Sequence, residues 1–227
     1  MPDPKTYLAD IVALLQQEWP ANRTVNIVCH GHSVPGGYFK TPLVDTFNAY
    51  PHLLHRGIKE RFPFAVVNIV VTAIGGENSV NGAARFARDV LAIHPDVVTI
   101  DYSLNDRGIG LKTARTAWVN MISQTLAAKA KVMLLTPTAD LAAHLEDPAD
   151  PLNQHAEQVR ALAREFDVAL ADSLASFRRH VANGGNLPDL MSQGNHPNRA
   201  GHELVVRELL PWFLGPAATS REEVGAL

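Results

Sequence analysis

Short apolar runs alternate along the chain with longer stretches in which apolar residues recur every three or four positions. Thr6 to Glu18 places Tyr7, Leu8, Ile11, Val12, Leu14 and Leu15 on one helical stripe. Asn22-Arg23-Thr24 then leads into the strand-like run Val25-Asn26-Ile27-Val28-Cys29. Further β-rich runs cover Ala65 to Thr72, Val97 to Asp101, Val132 to Thr136 and Val168 to Ala171. Helical patterns lie between them over about 43–61, 79–93, 112–129, 151–166 and 173–182, and a last one covers about 199–214. Strands separated by helices of this length predict parallel βαβ units, hence an α/β fold with a doubly wound sheet and helices on both faces. Ligands bind such sheets beyond the carboxyl ends of the strands.

Polar clusters fall at those ends. Ser33 follows the first strand in Gly31-His32-Ser33, Gly75-Gly76-Glu77-Asn78 follows the second, and Ser103-Leu104-Asn105-Asp106 follows the third. Asn195-His196-Pro197-Asn198 stands far away, near the C-terminus. If folding brings His196 to Ser33, the imidazole turns an ordinary hydroxyl into a nucleophile. Small and amide-bearing residues at neighbouring strand ends suit acyl transfer, which needs N–H donors converging on the oxygen that becomes negative. Plainer roles are available for the same residue types. A serine after a strand is commonly a turn or N-cap residue, and Asn198 could cap the last helix, leaving His202 a surface residue on its first turns. Asp172 suits a cap for the helix beginning near Ser173, and Asp101 and Asp106 are candidates for supporting positions around the site.

The 227 residues, 46% of them apolar, suffice for one α/β core. One domain is expected over 1–214, followed by a small, polar tail over 215–227. The net charge is −3 and the basic residues are scattered, so no nucleic-acid partner is expected. Cys29 is the only cysteine, which excludes an intrachain disulfide and a Cys-rich zinc knuckle. The N-terminus leads into an amphipathic stretch without the h-region of a signal peptide, and no run approaches the roughly 18 apolar residues of a membrane span. A cytoplasmic location without a membrane span is expected. His30-x-His32 is the only short histidine pair with metal-like spacing, and no phosphate-cradling glycine motif is present, so neither metal nor cofactor is expected. Pro35 breaks the Gly-x-Ser-x-Gly elbow of the α/β-hydrolases.

Gly31-His32-Ser33-Val34-Pro35-Gly36-Gly37-Tyr38, Ile74-Gly75-Gly76-Glu77-Asn78, Leu104-Asn105-Asp106 and His196-Pro197-Asn198 together resemble the four sequence blocks of the SGNH hydrolases, the GDSL-type esterases and lipases. The blocks come in the family's order and span nearly the full chain. The resemblance implies a flavodoxin-like three-layer α/β/α sandwich around a parallel sheet of about five strands. It implies Ser33 as nucleophile, His196 as general base, and an oxyanion hole from the Ser33 and Gly76 N–H groups and the Asn105 side chain. The expected function is therefore a serine esterase acting on a small-molecule ester with a short acyl group, such as acetyl on a carbohydrate. Thioesterase, lysophospholipase or acyltransferase activity on the same site are the alternatives within the chemistry.

Two residues depart from the family pattern. His32 stands where Gly-Asp-Ser has its aspartate, and Gln193 occupies the position of the triad acid, three residues before the histidine. A glutamine carries no charge to stabilise an imidazolium, although its carbonyl can accept a hydrogen bond from the ring. Three arrangements follow: a Ser33–His196 dyad oriented by a main-chain carbonyl or by Gln193, an acid relocated to Asp189, or a scaffold that binds ligand and turns over poorly. His32, Gln193 and Asn195 are the expected supporting residues.

Overall fold

The computed structural model describes residues 2–215, so the tail expected over 215–227 lies, beyond Gly215, outside the described residues. Among them the elements run α1 (Ala9–Leu15), β1 (Thr24–Gly31), α2 (Tyr50–Arg61), β2 (Val66–Val71), α3 (Ser79–Asp89), β3 (Val97–Asp101), α4 (Ser103–Asp106), α5 (Leu111–Ala127), β4 (Lys131–Leu135), α6 (Pro151–Glu165), β5 (Ala169–Ala171), α7 (Ser173–Ala182), β6 (Met191–Gln193), β7 (His196–Pro197) and α8 (Arg199–Leu214). β1 to β5 form one sheet in the order β2-β1-β3-β4-β5, with every pairing parallel. This is the doubly wound α/β/α architecture expected from the alternation of strands and helices. β6 and β7 form a separate antiparallel ribbon, which the apolar pattern does not announce.

Successive strand side chains point to opposite faces, and the sheet sorts its residues accordingly. Val25, Ile27 and Cys29 of β1 and Met133 and Leu135 of β4 pack with Tyr50, Leu54 and Ile58 of α2 and Val205, Leu209 and Phe213 of α8. Val28 of β1, Val98 and Ile100 of β3 and Val132 and Leu134 of β4 pack on the other face with Phe86 of α3 and Trp118, Met121 and Ile122 of α5. The two faces explain why β1, β3 and β4 read as nearly continuous apolar runs rather than as alternating ones.

The helix expected over 43–61 begins only at Tyr50. Leu43, Val44 and Phe47, which extend its apolar pattern in the sequence, are solvent-exposed. Pro51 sits in the first turn of α2, where a missing N–H costs nothing, and so marks the true start. The cap assignments agree with the sequence: Asp172 accepts from Ala175 N–H and Asn198 from Gly201 N–H. His202 does not lie on the surface. It is fully buried, accepts the Tyr50 N–H at Nδ1 (3.1 Å) and stacks on Phe39.

Burial holds His30 and His155 down at about 4 and His202 at about 3, so all three rings are neutral in the folded protein. Once unfolded they would protonate near their ordinary value of about 6.5. The unfolded chain therefore binds more protons below that pH, and stability falls as pH drops from about 6.5 towards 4. Thermal unfolding is expected to show a Tm that declines steadily across this window, and a flat Tm would contradict it.

Candidate active site

Three loops converge at the carboxyl edge of the sheet because their strands are neighbours. β1 ends at Gly31, paired with Asp101 of β3, and the Gly31 carbonyl accepts the Ile74 N–H from the loop after β2 (3.1 Å). Ser33 leaves β1 two residues beyond Gly31, Gly76 lies on the β2 loop with φ +76°, and Asn105 sits on α4 directly after β3. Gly31 has no room for a side chain. A Cβ there would stand 2.5 Å from the Asp101 carbonyl oxygen and 2.7 Å from Pro35, so the backbone can turn towards Ser33 only through glycine.

His196 arrives from outside the sheet, on the β6–β7 ribbon. Its Nε2 lies 3.0 Å from Ser33 Oγ, with both residues buried. The opposite nitrogen, Nδ1, lies 2.9 Å from the Phe39 main-chain carbonyl and 2.8 Å from Gln193 Nε2. A carbonyl only accepts, so the Phe39 contact requires a proton on Nδ1 and leaves Nε2 free to accept one from Ser33. The Gln193 amide is set by another partner. Thr41 N–H donates to Gln193 Oε1 (3.0 Å), which turns the amide nitrogen, and not its oxygen, towards the imidazole. Nδ1 cannot accept from that amide and donate to Phe39 at once, so the two contacts exclude each other and only the Phe39 one leaves Nε2 free to accept from Ser33. Of the orienting groups expected from the sequence, the main-chain carbonyl is therefore the one in place.

Asp189 is not. Its side chain is exposed, 3.4 Å from Asn186 Nδ2, while its main-chain carbonyl accepts from Asn198. The relocated acid is corrected accordingly: α8 packs on this segment through its cap and leaves the carboxylate facing solvent. Asn195 forms the turn of the ribbon with Gly194. His32 is buried beneath Ser33, accepting the Val34 N–H at Nδ1 (3.2 Å) and placing Nε2 3.4 Å from the buried Asp101 carboxylate. Asp106 ties α3 to α5, accepting from Ser79 N–H (2.8 Å) and Trp118 Nε1 (2.7 Å), and burial raises its carboxyl above the usual range.

Burial also holds His196 below the ordinary imidazole value, with His32 acting in the same direction and the Phe39 carbonyl against both. The ring is thus neutral near pH 7. The Asn105 amide donates to the Glu77 carbonyl (2.9 Å), which fixes its direction. Tyr38 lies beside His196. Its ring centroid is 6.2 Å from that of His196, and a Cβ on Gly75 would lie 2.9 Å from it. Beside Asn105 a cleft of about 540 Å³ opens between Arg107, Gly108 and the loop carrying Ala142, Ala143, Asp150 and Pro151. Its charges are already paired: Arg107 with Asp140 (2.7 Å), and Asp150 with the Leu152 and His144 N–H groups.

Phe39, Thr41 and His202 were not legible as site residues. Two act through main-chain atoms, and the third carries the ring on which Phe39 stacks. No group of three or more His, Cys, Asp or Glu residues among the described residues is arranged to hold a metal. No helix among them is long and apolar enough to cross a membrane.

The model of the GDSL-like lipase/acylhydrolase family matches residues 29–204. Among curated proteins no sequence matches the chain. Among solved structures, a two-domain esterase active on acetylated mannans superposes with a TM-score of 0.76 at 22% identity, over 96% of this chain and 55% of that one. This chain thus spans little more than half of that protein. An acetylxylan esterase from Geobacillus stearothermophilus superposes with a TM-score of 0.74 at 20% identity, over 86% of this chain and 97% of its own. Both likenesses are of fold.

Replacing Gly31 by alanine is expected to cost about 2–3 kcal/mol, since the facing group is backbone that cannot rotate away. A lowered urea midpoint at unchanged m-value would measure it.

Proposed function

The chain belongs to the GDSL-like lipase/acylhydrolase family, a family of carboxylic ester hydrolases, and from that premise we propose that it removes short acyl groups, acetyl foremost, from hydroxyls of carbohydrates through an acyl-enzyme on Ser33. The observation that carries this is the 3.0 Å approach of His196 Nε2 to Ser33 Oγ, with Nδ1 held by a carbonyl. As the Ser33 oxygen bonds to the ester carbon, His196 Nε2 takes the hydroxyl proton. The carbonyl oxygen becomes an anion facing the Ser33 and Gly76 N–H groups and the Asn105 amide. The intermediate collapses, the C–O bond to the alcohol breaks, and His196 returns the proton to the leaving oxygen. Water then repeats the sequence on the acyl-enzyme, releasing the carboxylic acid and restoring Ser33.

Two features support the substrate class. Tyr38 fills the space between the His196 ring and Gly75, on the β2 loop, which supports a site that takes a small acyl group. The cleft beside Asn105 is polar, yet Arg107 and Asp150 are already satisfied within the protein, which suits a neutral hydroxylated alcohol over an anionic one. The two structurally similar esterases, which act on acetylated mannans and acetylxylan, point the same way.

The test is hydrolysis of chromogenic acetate and butyrate esters and of acetylated oligosaccharides. Acetate is expected to be cleaved faster than butyrate, Ser33→Ala to lose at least about a thousandfold in kcat, and an organophosphonate to label Ser33. A chain that cleaves none of these esters and leaves Ser33 unlabelled is a binding protein instead.

Because the unprotonated His196 ring is the active form and burial lowers its pKa, kcat/KM is expected to fall on the acid side with a midpoint below 6.5. Asp189→Ala is expected to leave that profile and kcat/KM within about twofold. A large loss in this variant would restore Asp189 as the acid.

A further inference from the structure

The geometry points to Glu77 as a positioning residue: a buried carboxylate clasp that fixes the oxyanion donors on the Gly76 turn and on Asn105. This rests on the esterase reading above and adds a residue to it. Glu77 is 8% exposed. Its carboxylate receives Arg85 Nε (2.9 Å) and Nη2 (2.5 Å) and the Tyr102 hydroxyl (2.8 Å). Arg85 is itself half-buried and also reaches Asp89 (3.2 Å). Charge-assisted bonds of this kind, made away from water, orient both partners strongly.

The main chain of the same residue carries the consequence. Glu77 N–H donates to the Ile74 carbonyl (3.2 Å) and closes the turn that contains Gly76, while the Glu77 carbonyl accepts the Asn105 amide (2.9 Å). Tyr102 immediately precedes α4, which bears Asn105. Residue 77 is therefore joined to the α4 segment twice, by phenol to carboxylate and by amide to carbonyl. The phenol reaches the carboxylate only because Gly82 on α3 has no side chain, since a Cβ there would overlap the Tyr102 ring. His30 Nε2 completes the cluster, 3.1 Å from the Tyr102 oxygen.

An oxyanion hole works when its donors are in place before charge develops, because a donor that must move consumes part of the stabilisation it provides. Loosening Glu77 therefore affects the transition state more than the bound ester. A purely structural staple would instead lower the unfolding temperature and leave kcat intact.

The experiment measures kcat and KM on 4-nitrophenyl acetate for Glu77→Gln and Tyr102→Phe, the latter keeping the Arg85–Glu77 pair and so the folded core. Expected are a kcat loss of about a hundredfold for Glu77→Gln, since small misplacements near the chemistry cost that much, a several-fold loss for Tyr102→Phe, and KM within about twofold in both. Glu77→Gln added to Asn105→Ala is expected to lose little beyond Asn105→Ala alone, the non-additivity of groups acting as a unit. The clasp is overturned if kcat of both variants stays within twofold of the parent, or if the Glu77→Gln and Asn105→Ala losses multiply. The effect of Ser33→Ala on the parent tests the esterase reading separately, so the two failures are distinguishable.

Discussion

The hydrogen bond between the Phe39 carbonyl and His196 Nδ1 has a fixed polarity, because a carbonyl oxygen can only accept. At 2.9 Å it demands a proton on Nδ1, and that demand decides which lone pair faces Ser33. Much of the surrounding structure serves the placement of that one oxygen. Tyr38 N–H donates to the Ser33 carbonyl and Phe39 N–H to the Leu43 carbonyl, so the segment after Ser33 folds back on itself. The Phe39 ring stacks on the buried, neutral His202, whose own Nδ1 accepts from the first residue of α2. Ser33, the Phe39 carbonyl and the supporting His202 ring thus come from a short stretch following β1 and from the first turn of α8.

Gln193 matters by what it withholds. Its oxygen is committed to Thr41 N–H, so its amide nitrogen faces Nδ1 as a donor and competes with the Phe39 carbonyl, which needs the proton there, while the positive charge on a protonated His196 faces a carbonyl dipole without a carboxylate. The nearby carboxylates are engaged elsewhere. Glu77 holds Arg85 and Tyr102, Asp106 holds Ser79 and Trp118, and Asp101 lies against His32. In the proposed mechanism the base is therefore a moderate one, and burial compensates only in keeping it unprotonated.

The layered architecture was legible because each strand is buried on both faces or lies next to a helix with a clear apolar stripe. Ser33 and Asn105 stand out by residue type and position after strands, whereas Gly76 is singled out from Gly75 only by the resemblance to the family pattern and His196 only as a distant histidine that folding would have to bring to Ser33. What escaped has a common physical origin. Phe39 and Thr41 act through backbone atoms that every residue possesses, so their side chains carry no signal. His202 sits among Arg199, Glu203 and Arg207, whose polarity suggests a solvent face, yet its own position points inward at Phe39 and Tyr50. The start of α2 was misjudged because Leu43, Val44 and Phe47 are apolar without being buried, and apolar periodicity cannot distinguish the two.

The two-stranded ribbon that carries His196 is built differently from the rest of the site. Ser33 and Asn105 follow the central strands β1 and β3, and Gly76 the edge strand β2, of one sheet, whereas β6 and β7 pair only with each other and reach the rest of the protein through the buried Met191 side chain and bonds such as Leu141 N–H to the Gly194 carbonyl and Thr41 N–H to Gln193 Oε1. Local stability follows buried contacts and protected backbone bonds, so this ribbon belongs to a less cooperative unit than the sheet. In the proposed mechanism, proton handling and anion binding would reside on parts of the protein that need not melt together. On that mechanism, gentle warming would disconnect the imidazole while the loops proposed to bind the carbonyl oxygen remain assembled, so loss of turnover would precede loss of the fold.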